Sequence, residues 1–265
     1  MSDTYDGAEQ LIGSLQAELV PTATRPRSRV DQAEGGVTVT LQGGLPLTMC
    51  DGRPMIPAMT PARRMQGVLK RLLLDIPLAG MALLVLSPML LTIAVLIRLG
   101  SKGPALFSQE RVGLKCKPFR MVKFRTMRED SCDSTGLAQV VANDDRVTPI
   151  GRFLRATSID ELPQLWNILV GDMSIIGPRP MVEGMQAAGV DYREAVPYYD
   201  FRHLVKPGLS GWAQANGLRG PTTDMASARE RIDHDCAYVQ NFSLLLDIKI
   251  IARTILREFL TGSGV

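Results

Sequence analysis

Between Asp75 and Arg98 the chain runs for 22 residues without a charge, "IPLAGMALLVLSPMLLTIAVLI". As a straight helix this stretch would cover roughly 33 Å, enough to cross a bilayer's hydrocarbon core. Two features argue against a straight crossing. Ser87-Pro88 falls at the middle of the run, where proline removes a backbone donor and bends the helix. The serine hydroxyl can satisfy the carbonyl left over, which makes the break tolerable in lipid. Basic residues also flank both ends: Arg63, Arg64, Lys70 and Arg71 before, Arg98 and Lys102 after. The positive-inside rule therefore wants both ends on one face of the membrane. Asp75 and Pro77 weaken the first half as a spanning segment. The run predicts a re-entrant, monotopic helix over residues 66–102 that enters, bends at Ser87-Pro88 and returns. A single transmembrane helix is the plainer alternative.

Charge distribution points the same way. The net charge is only +3, but residues 61–130 hold 13 Lys/Arg against 4 Asp/Glu (13 − 4 = +9), while residues 1–60 hold 4 Arg against 7 acids (4 − 7 = −3). A basic block behind an apolar run suits anionic lipid or phosphate partners. The four cysteines, Cys50, Cys116, Cys132 and Cys236, have no C-x-x-C spacing. That argues against a structural zinc site and offers no disulfide framework. No basic segment followed by an apolar core marks a secretory signal at the N-terminus.

Residues 1–60, rich in Gly, Pro, Thr and Ser, read as a disordered extension in which "GGVTVTLQGG" offers one short strand. Residues 104–127 alternate in type around turn signals and predict two or three short strands. There "VKFRTM" puts Lys123 and Arg125 on one face of an extended segment, a pattern that a solvated edge strand shares. Residues 131–145 read as a polar loop. Residues 144–173 read as helical with a break near Thr157-Ser158, and Arg152 and Arg155 share a face. Residues 190–220 are loop-rich and 225–241 helical. The C-terminal stretch "FSLLLDIKIIARTILREFL" is an amphipathic helix with Leu244, Ile248, Ile251 and Ile255 on one stripe and Lys249, Arg253 and Arg257 on another. It suits the membrane interface or an ordinary surface. His203 and His234 read as structural or solvated.

The segment "SIDELPQLWNILVGDMSIIGPRP" sets Asp160 beside Glu161 and clamps Arg179 between Pro178 and Pro180. Ser158 to Glu161 matches a capping box, but Pro163 would lack the amide that register needs. The helix cap is therefore expected at Asp160 to Leu162, with both carboxylates at its positive end. An ionised, partly desolvated carboxylate is a nucleophile toward phosphorus, and its neighbour can hold Mg²⁺. Arg155 and Arg179 can fork onto phosphate oxygens. The plainer reading is a solvated helix start. A glycosidase is disfavoured, because its two acids face each other across roughly 5 Å or more of substrate.

Together "KRLLLDI…LSPMLL", "LFSQERVG", "FRMVKFRTM", "DDRVTPIGRFLR", "SIDELPQLWNILVGDMSIIGPRP" and "VKPGLSGWAQANG" resemble the bacterial sugar transferases, the monotopic phosphoglycosyl transferases that act on polyprenyl phosphate. The resemblance covers about residues 66–262. It implies an α+β, mainly helical monotopic membrane protein: a re-entrant helix-break-helix, a small β-hairpin, interfacial amphipathic helices and a catalytic domain over 103–262 on the cytoplasmic face of the bacterial inner membrane. It implies transfer of a sugar 1-phosphate from a UDP-sugar to undecaprenyl phosphate, releasing UMP, by a ping-pong route that requires Mg²⁺. It assigns Asp160 as nucleophile, Glu161 beside it near the metal, and Arg155 and Arg179 as phosphate-binding arginines. Lys123, Arg125 and Pro180 are counted with the substrate-binding set. The part beyond Tyr198 resembles the hexose-1-phosphate members, which favours galactose or glucose. Membrane lipid is an expected partner, nucleic acid is not, and a second copy of the chain is left open. The rival readings are a single-span scaffold or regulatory protein of polysaccharide export and a glycosyltransferase that moves the sugar without phosphate.

Overall fold

The computed structural model of the protein describes residues 29–33, 36–58, 60–128, 144–220, 222 and 224–261. The loop expected at 131–145 falls almost wholly outside them.

The first described elements correct the disordered-extension reading for residues 29–54, while residues 1–28 lie outside the described residues. Strands β1 (Arg29–Ala33), β2 (Gly36–Thr40), β3 (Pro46–Cys50) and β4 (Arg53–Pro54) form an antiparallel meander in sequence order. Leu47 on β3 is buried in a core cluster with Met181, Tyr192, Ile232 and Cys236. Thr48 exchanges two 2.8 Å hydrogen bonds with the Gln240 amide, and Asn241 Nδ2 donates to the Pro46 carbonyl at 2.7 Å. The partners that order this sheet lie some 190 residues downstream, so a local pattern does not show them.

A helical stretch of 40 residues follows, Pro61–Gly100, long and apolar enough to cross a membrane. It comprises α1 (Pro61–Lys70), a π-helical turn (Arg71–Asp75) and α2 (Ile76–Gly100). Pro88 cannot donate to the Leu84 carbonyl, and the Ser87 hydroxyl takes that carbonyl instead, at 2.8 Å. The helix continues through the proline from Ile76 to Gly100, without the break expected at Ser87-Pro88. Leu84, Val85, Leu91 and Leu99 are open on the outer face, while Ala79 and Ile97 are fully buried against the rest of the protein.

Both ends of this helix are tied to the same body. At its start, Lys70 Nζ meets Asp247 (3.0 Å), the Tyr238 hydroxyl (2.8 Å) and the Ile176 carbonyl (2.6 Å). Asp75 accepts from Ser174 Oγ and from the Ile175 amide, each at 3.0 Å. At its end, Arg125 Nη2 donates to the Ser101 carbonyl at 2.9 Å, and Arg125 Nη1 to the Lys102 carbonyl. The flanking cations expected at lipid headgroups are therefore partly spent on protein: Lys70 is buried, and Arg63 donates to the Val239 carbonyl at 3.1 Å.

Strands β5 (Leu106–Val112) and β6 (Pro118–Phe124) form the expected hairpin, in continuous register from Leu106↔Phe124 to Val112↔Pro118. Helix α3 (Pro149–Ala156) starts at Thr148, whose hydroxyl accepts from the Gly151 amide at 3.0 Å. Gly151 lies so close to β6's exit that a Cβ would sit 2.1 Å from the Thr126 carbonyl. The break expected at Thr157-Ser158 is present, with Ser158 in the left-handed region (φ 55°). A 3₁₀ turn, Ile159–Glu161, leads into α4 (Gln164–Val170), after which β7 (Ser174–Ile176) pairs in parallel with β10 (Gly208–Ser210). Between them lie β8 (Gln186–Ala187), β9 (Val190–Asp191), α5 (Tyr192–Ala195) and a 3₁₀ helix, Tyr199–Leu204. Helices α6 (Trp212–Ala215), α7 (Met225–Asn241) and α8 (Leu244–Thr261) complete the chain.

Helix α8 has two apolar faces. Leu246 and Ile250 are buried in a core with Ile176, Trp212 and Tyr238, while Leu245, Ile248, Ile255 and Leu256 are exposed. The stripe read from the sequence thus points partly outward. Arg253, placed on the basic stripe, turns inward over the Trp212 ring at 5.1 Å. His234 is buried between the carbonyls of Glu230 and Gln42, the structural role expected of it.

Candidate active site

Asp160 and Glu161 sit on the 3₁₀ turn and not at a helix cap. Ser158 makes no side-chain capping bond, and α4 begins only at Gln164, behind Pro163. The cap is Pro163, one residue beyond the expected Asp160 to Leu162. A helix of seven residues that starts beyond the carboxylates offers little dipole, so the charge here comes from side chains.

The side chains are cationic and come from four segments. Arg179 forks onto Glu161, with Nη1 to Oε2 at 3.1 Å and Nη2 to Oε1. Arg155 Nε donates to Thr126 Oγ1 at 2.8 Å, and its charge bears on Asp160. Lys123, opposite Phe107 on the hairpin, holds its amine 5.3 Å from that ring and bears on both carboxylates. Arg111 and Arg219 bear on Glu161. Five cations bear on these two carboxylates, an arrangement that suits a phosphate-bearing anion.

The electrostatics separate the two acids. Asp160 is 8% exposed, and burial, with the adjacent Glu161 charge, pushes its carboxyl up to about 6 against the pull of Lys123, Arg155 and Arg179. Burial would also raise Glu161, but Arg179, by charge and hydrogen bonding, outweighs it together with Lys123 and Arg219, so Glu161 titrates below the usual range. Burial and the nearby Arg111 and Arg155 hold Lys123 down to about 8. Different environments of two neighbouring carboxylates give them different roles.

The loop carrying Arg179 is fixed by more than its prolines. Four successive carbonyls are each held from a different place. Gly208 N donates to Pro178 (3.0 Å), Arg202 Nη2 to Arg179 (2.6 Å), Arg111 Nη1 to Pro180 (3.4 Å) and Val112 N to Met181 (3.0 Å). The crossing beneath is glycine-only, since a Cβ on Gly208 would lie 2.1 Å from Gly177 N and one on Gly211 would lie 2.2 Å from Gly177 O. Arg202 is itself buried and paired with Asp235 at 2.7 Å. Asp235→Asn would leave that guanidinium unpaired, and a loss of about 3–5 kcal/mol in stability is expected, read from denaturant midpoints.

The structure therefore brings together Asp160, Glu161, Arg155, Arg179 and Lys123, with the Pro180 backbone bound at the edge. Arg125 is the exception and a correction. It is 4% exposed, and its guanidinium ties the end of the membrane-run helix to β6, because the cation suits the free carbonyls of a helix C-terminus. Arg152 is exposed, away from Arg155's partner. Arg111 and Arg219 were not singled out from the sequence. The one available signal was Arg111's place in "SQERVG", where alternation along β5 puts it on the same side as Gln109.

The sequence profile of the bacterial sugar transferase family matches residues 65–261. The chain belongs to that family. Among sugar transferases similar to it, the exopolysaccharide production protein PSS of Rhizobium leguminosarum bv. phaseoli is 52% identical over 200 residues, 76% of this chain and 100% of the relative. The UDP-glucose:undecaprenyl-phosphate glucose-1-phosphate transferase of Caulobacter vibrioides is 47% identical over 198 residues, 74% of this chain and 72% of the relative. An Aeromonas hydrophila relative named for UDP-N-acetylgalactosamine and undecaprenyl phosphate is 45% identical over 192 residues, 72% of this chain and 44% of the relative. The chain spans about 45% of the length of other glucose-1-phosphate transferases it matches. The family profile begins at residue 65, so the β1–β4 sheet is an addition ahead of the shared domain.

Proposed function

We propose that this sugar transferase moves a hexose 1-phosphate, glucose first among the candidates, from a UDP-sugar to undecaprenyl phosphate through a covalent intermediate on Asp160. The observation that carries this reading is the buried, individually tuned Asp160 inside a ring of five cations. The diphosphate of the donor is an anion that such a cationic site suits. Asp160 Oδ attacks the phosphorus that bears the sugar. The bond from that phosphorus to the bridging oxygen breaks, and UMP leaves with the electron pair. A phosphate oxygen of the lipid then attacks the same phosphorus, and the aspartyl oxygen leaves as the free carboxylate. The acceptor is already an anion, so the second step needs positioning more than a base.

The donor set suits Mg²⁺ in one respect: it offers two carboxylates and leaves the remaining positions to phosphate and water, as that ion prefers. Mg²⁺ held by Glu161 and Asp160 would neutralise phosphate charge. The surrounding cations disfavour a bare ion and favour one arriving with the diphosphate.

Membrane placement rests on the ties at both ends of Pro61–Gly100. A body that carries a polar site cannot lie in hydrocarbon, and it grips the helix at Lys70 and Asp75 before Ser87-Pro88 and at Ser101 and Lys102 after it. A helix that dips into the cytoplasmic leaflet and returns fits these ties, with the open faces of α2 and α8 and the exposed Phe153 and Trp166 at the lipid boundary. Single cysteines at Arg64 and Lys102, both exposed, should react with impermeant thiol reagents from the cytoplasmic face only. Opposite sides would indicate a crossing helix.

The reaction is tested by isotope exchange. Labelled UMP should enter the UDP-sugar pool without lipid acceptor, and no exchange with any UDP-sugar would exclude the covalent route. The pH dependence follows from the two tuned groups. Ionised Asp160 is required, so kcat/KM should fall as pH drops through about 6. Protonated Lys123 is required, so it should fall again as pH rises through about 8. In Lys123→Met the alkaline limb should vanish, and the acid limb should move up because Asp160 has lost a cation.

A further inference from the structure

Three side chains with metal-binding chemistry converge away from the carboxylate pair. Cys116, Asp200 and His203 each place one ligand atom within 4.8 Å of the other two. Cys116 Sγ lies 3.5 Å from His203 Nδ1, and His203 Nδ1 lies 3.6 Å from Asp200 Oδ1. Around a tetrahedral zinc, with its usual bond lengths, neighbouring sulfur and nitrogen ligands stand about 3.5 Å apart, and nitrogen and oxygen about 3.3 Å. The observed separations therefore need only small rotations to close on one ion.

The backbone positions each ligand. Asp200 and His203 are three residues apart on the 3₁₀ helix Tyr199–Leu204, whose three-residue period puts them on one face. Cys116 is at the turn of the β5–β6 hairpin, where Lys115 and Cys116 both take left-handed φ, 55° and 58°. Two successive side-chain-bearing residues in that region are strained, and the turn is held closed by Gly113 N to Lys117 O at 2.9 Å.

The same three residue types also make up nucleophilic relays, but the geometry differs. A relay uses the two ring nitrogens separately, one for the nucleophile and one for the acid. Here the thiol and the carboxylate both meet Nδ1, and Nε2 is buried without a hydrogen-bond partner among the described residues.

We propose that Cys116, Asp200 and His203 form a three-ligand site for a zinc-type divalent cation, with a fourth position open to water. Binding forms a sulfur–metal bond and releases the thiol proton to solvent. The thiolate and the carboxylate together balance the ion's two charges. Arg193 Nε lies 3.0 Å from the same Asp200 Oδ1 that faces His203 and bears on the Cys116 thiol, so the ion would take the place this cation now holds. The ion would tie the hairpin turn to the helix whose Arg202 grips the Arg179 carbonyl. It would thus brace the phosphate-binding loop from behind.

The test is a titration of the full-length protein in detergent with Co²⁺ alone, followed by Zn²⁺. One equivalent of Co²⁺ should give a near-ultraviolet thiolate-to-metal band, which Zn²⁺ abolishes. The band should be absent in Cys116→Ser and unchanged in Cys50→Ser. Asp200→Asn should weaken binding by about tenfold or more, and Zn²⁺ should raise the Tm of the wild type but not of Cys116→Ser. Cys116 is on an exposed turn, so its serine variant is expected to fold. No band, a band that survives Cys116→Ser, a band lost in Cys50→Ser, or undiminished affinity in Asp200→Asn would each overturn the site.

Discussion

Asp160→Asn is expected to lower UMP release by about 10⁴-fold or more, the scale seen when a covalent nucleophile is removed. The substitution keeps shape and removes the attacking oxygen anion. It should also stabilise the fold. The folded-state carboxyl titrates at about 6 against 3.8 for an ordinary Asp, so at pH 7 the native state bears the cost of an ion it resists forming. That difference corresponds to up to about 3 kcal/mol, present above pH 6 and vanishing below pH 4. A variant that melts higher at pH 7, equally at pH 4, and no longer turns over separates lost chemistry from lost structure. Activity within tenfold of wild type would remove Asp160 from the reaction.

Arg179→Lys should reduce kcat/KM by about 10²- to 10³-fold, the usual effect of losing a preorganised donor to developing charge. Lysine keeps the charge but lacks the fork that now spans both Glu161 oxygens. The loop should survive the change, because its four carbonyls are held by Gly208, Arg202, Arg111 and Val112 and not by the Arg179 side chain. An unchanged melting curve with a collapsed rate is therefore expected in UMP-release assays. A loss smaller than about threefold would mean that the ion pair with Glu161 is only structural.

The parts of this molecule that were legible in the sequence are those whose cause is local. In the apolar run the Ser87 hydroxyl takes the Leu84 carbonyl that Pro88 leaves free, as the Ser-Pro pair suggests, while the helix itself continues through the proline. Pro163 was enough to reject Ser158 as a helix cap, and Ser158 indeed caps nothing. Helix α7 is found at Met225–Asn241, where its charged pattern put it. The illegible parts depend on distant partners. The β2–β3 segments alternate small β-branched residues of modest hydrophobicity, and what orders them is Gln240 and Asn241. Arg125 carries the same charge as Lys123 two residues earlier, but the strand ends between them, so one faces the carboxylates and the other the end of α2. Arg202 and Asp235, 33 residues apart on different elements, hold the Arg179 loop without any spacing signal. The absence of C-x-x-C spacing likewise says nothing about Cys116, whose neighbours Asp200 and His203 come from another helix.

The central claim is a sugar phosphate bound covalently to Asp160, and intact-protein mass spectrometry addresses it most directly. The purified enzyme would be quenched after incubation with a panel of UDP-sugars and Mg²⁺ but no lipid. A mass gain of one hexose phosphate, absent in Asp160→Asn and discharged by undecaprenyl phosphate, is the expected result, and the sugar that gives it identifies the donor. Lipid-dependent UMP release with no adduct from any UDP-sugar would contradict the covalent route and indicate direct transfer between the two substrates.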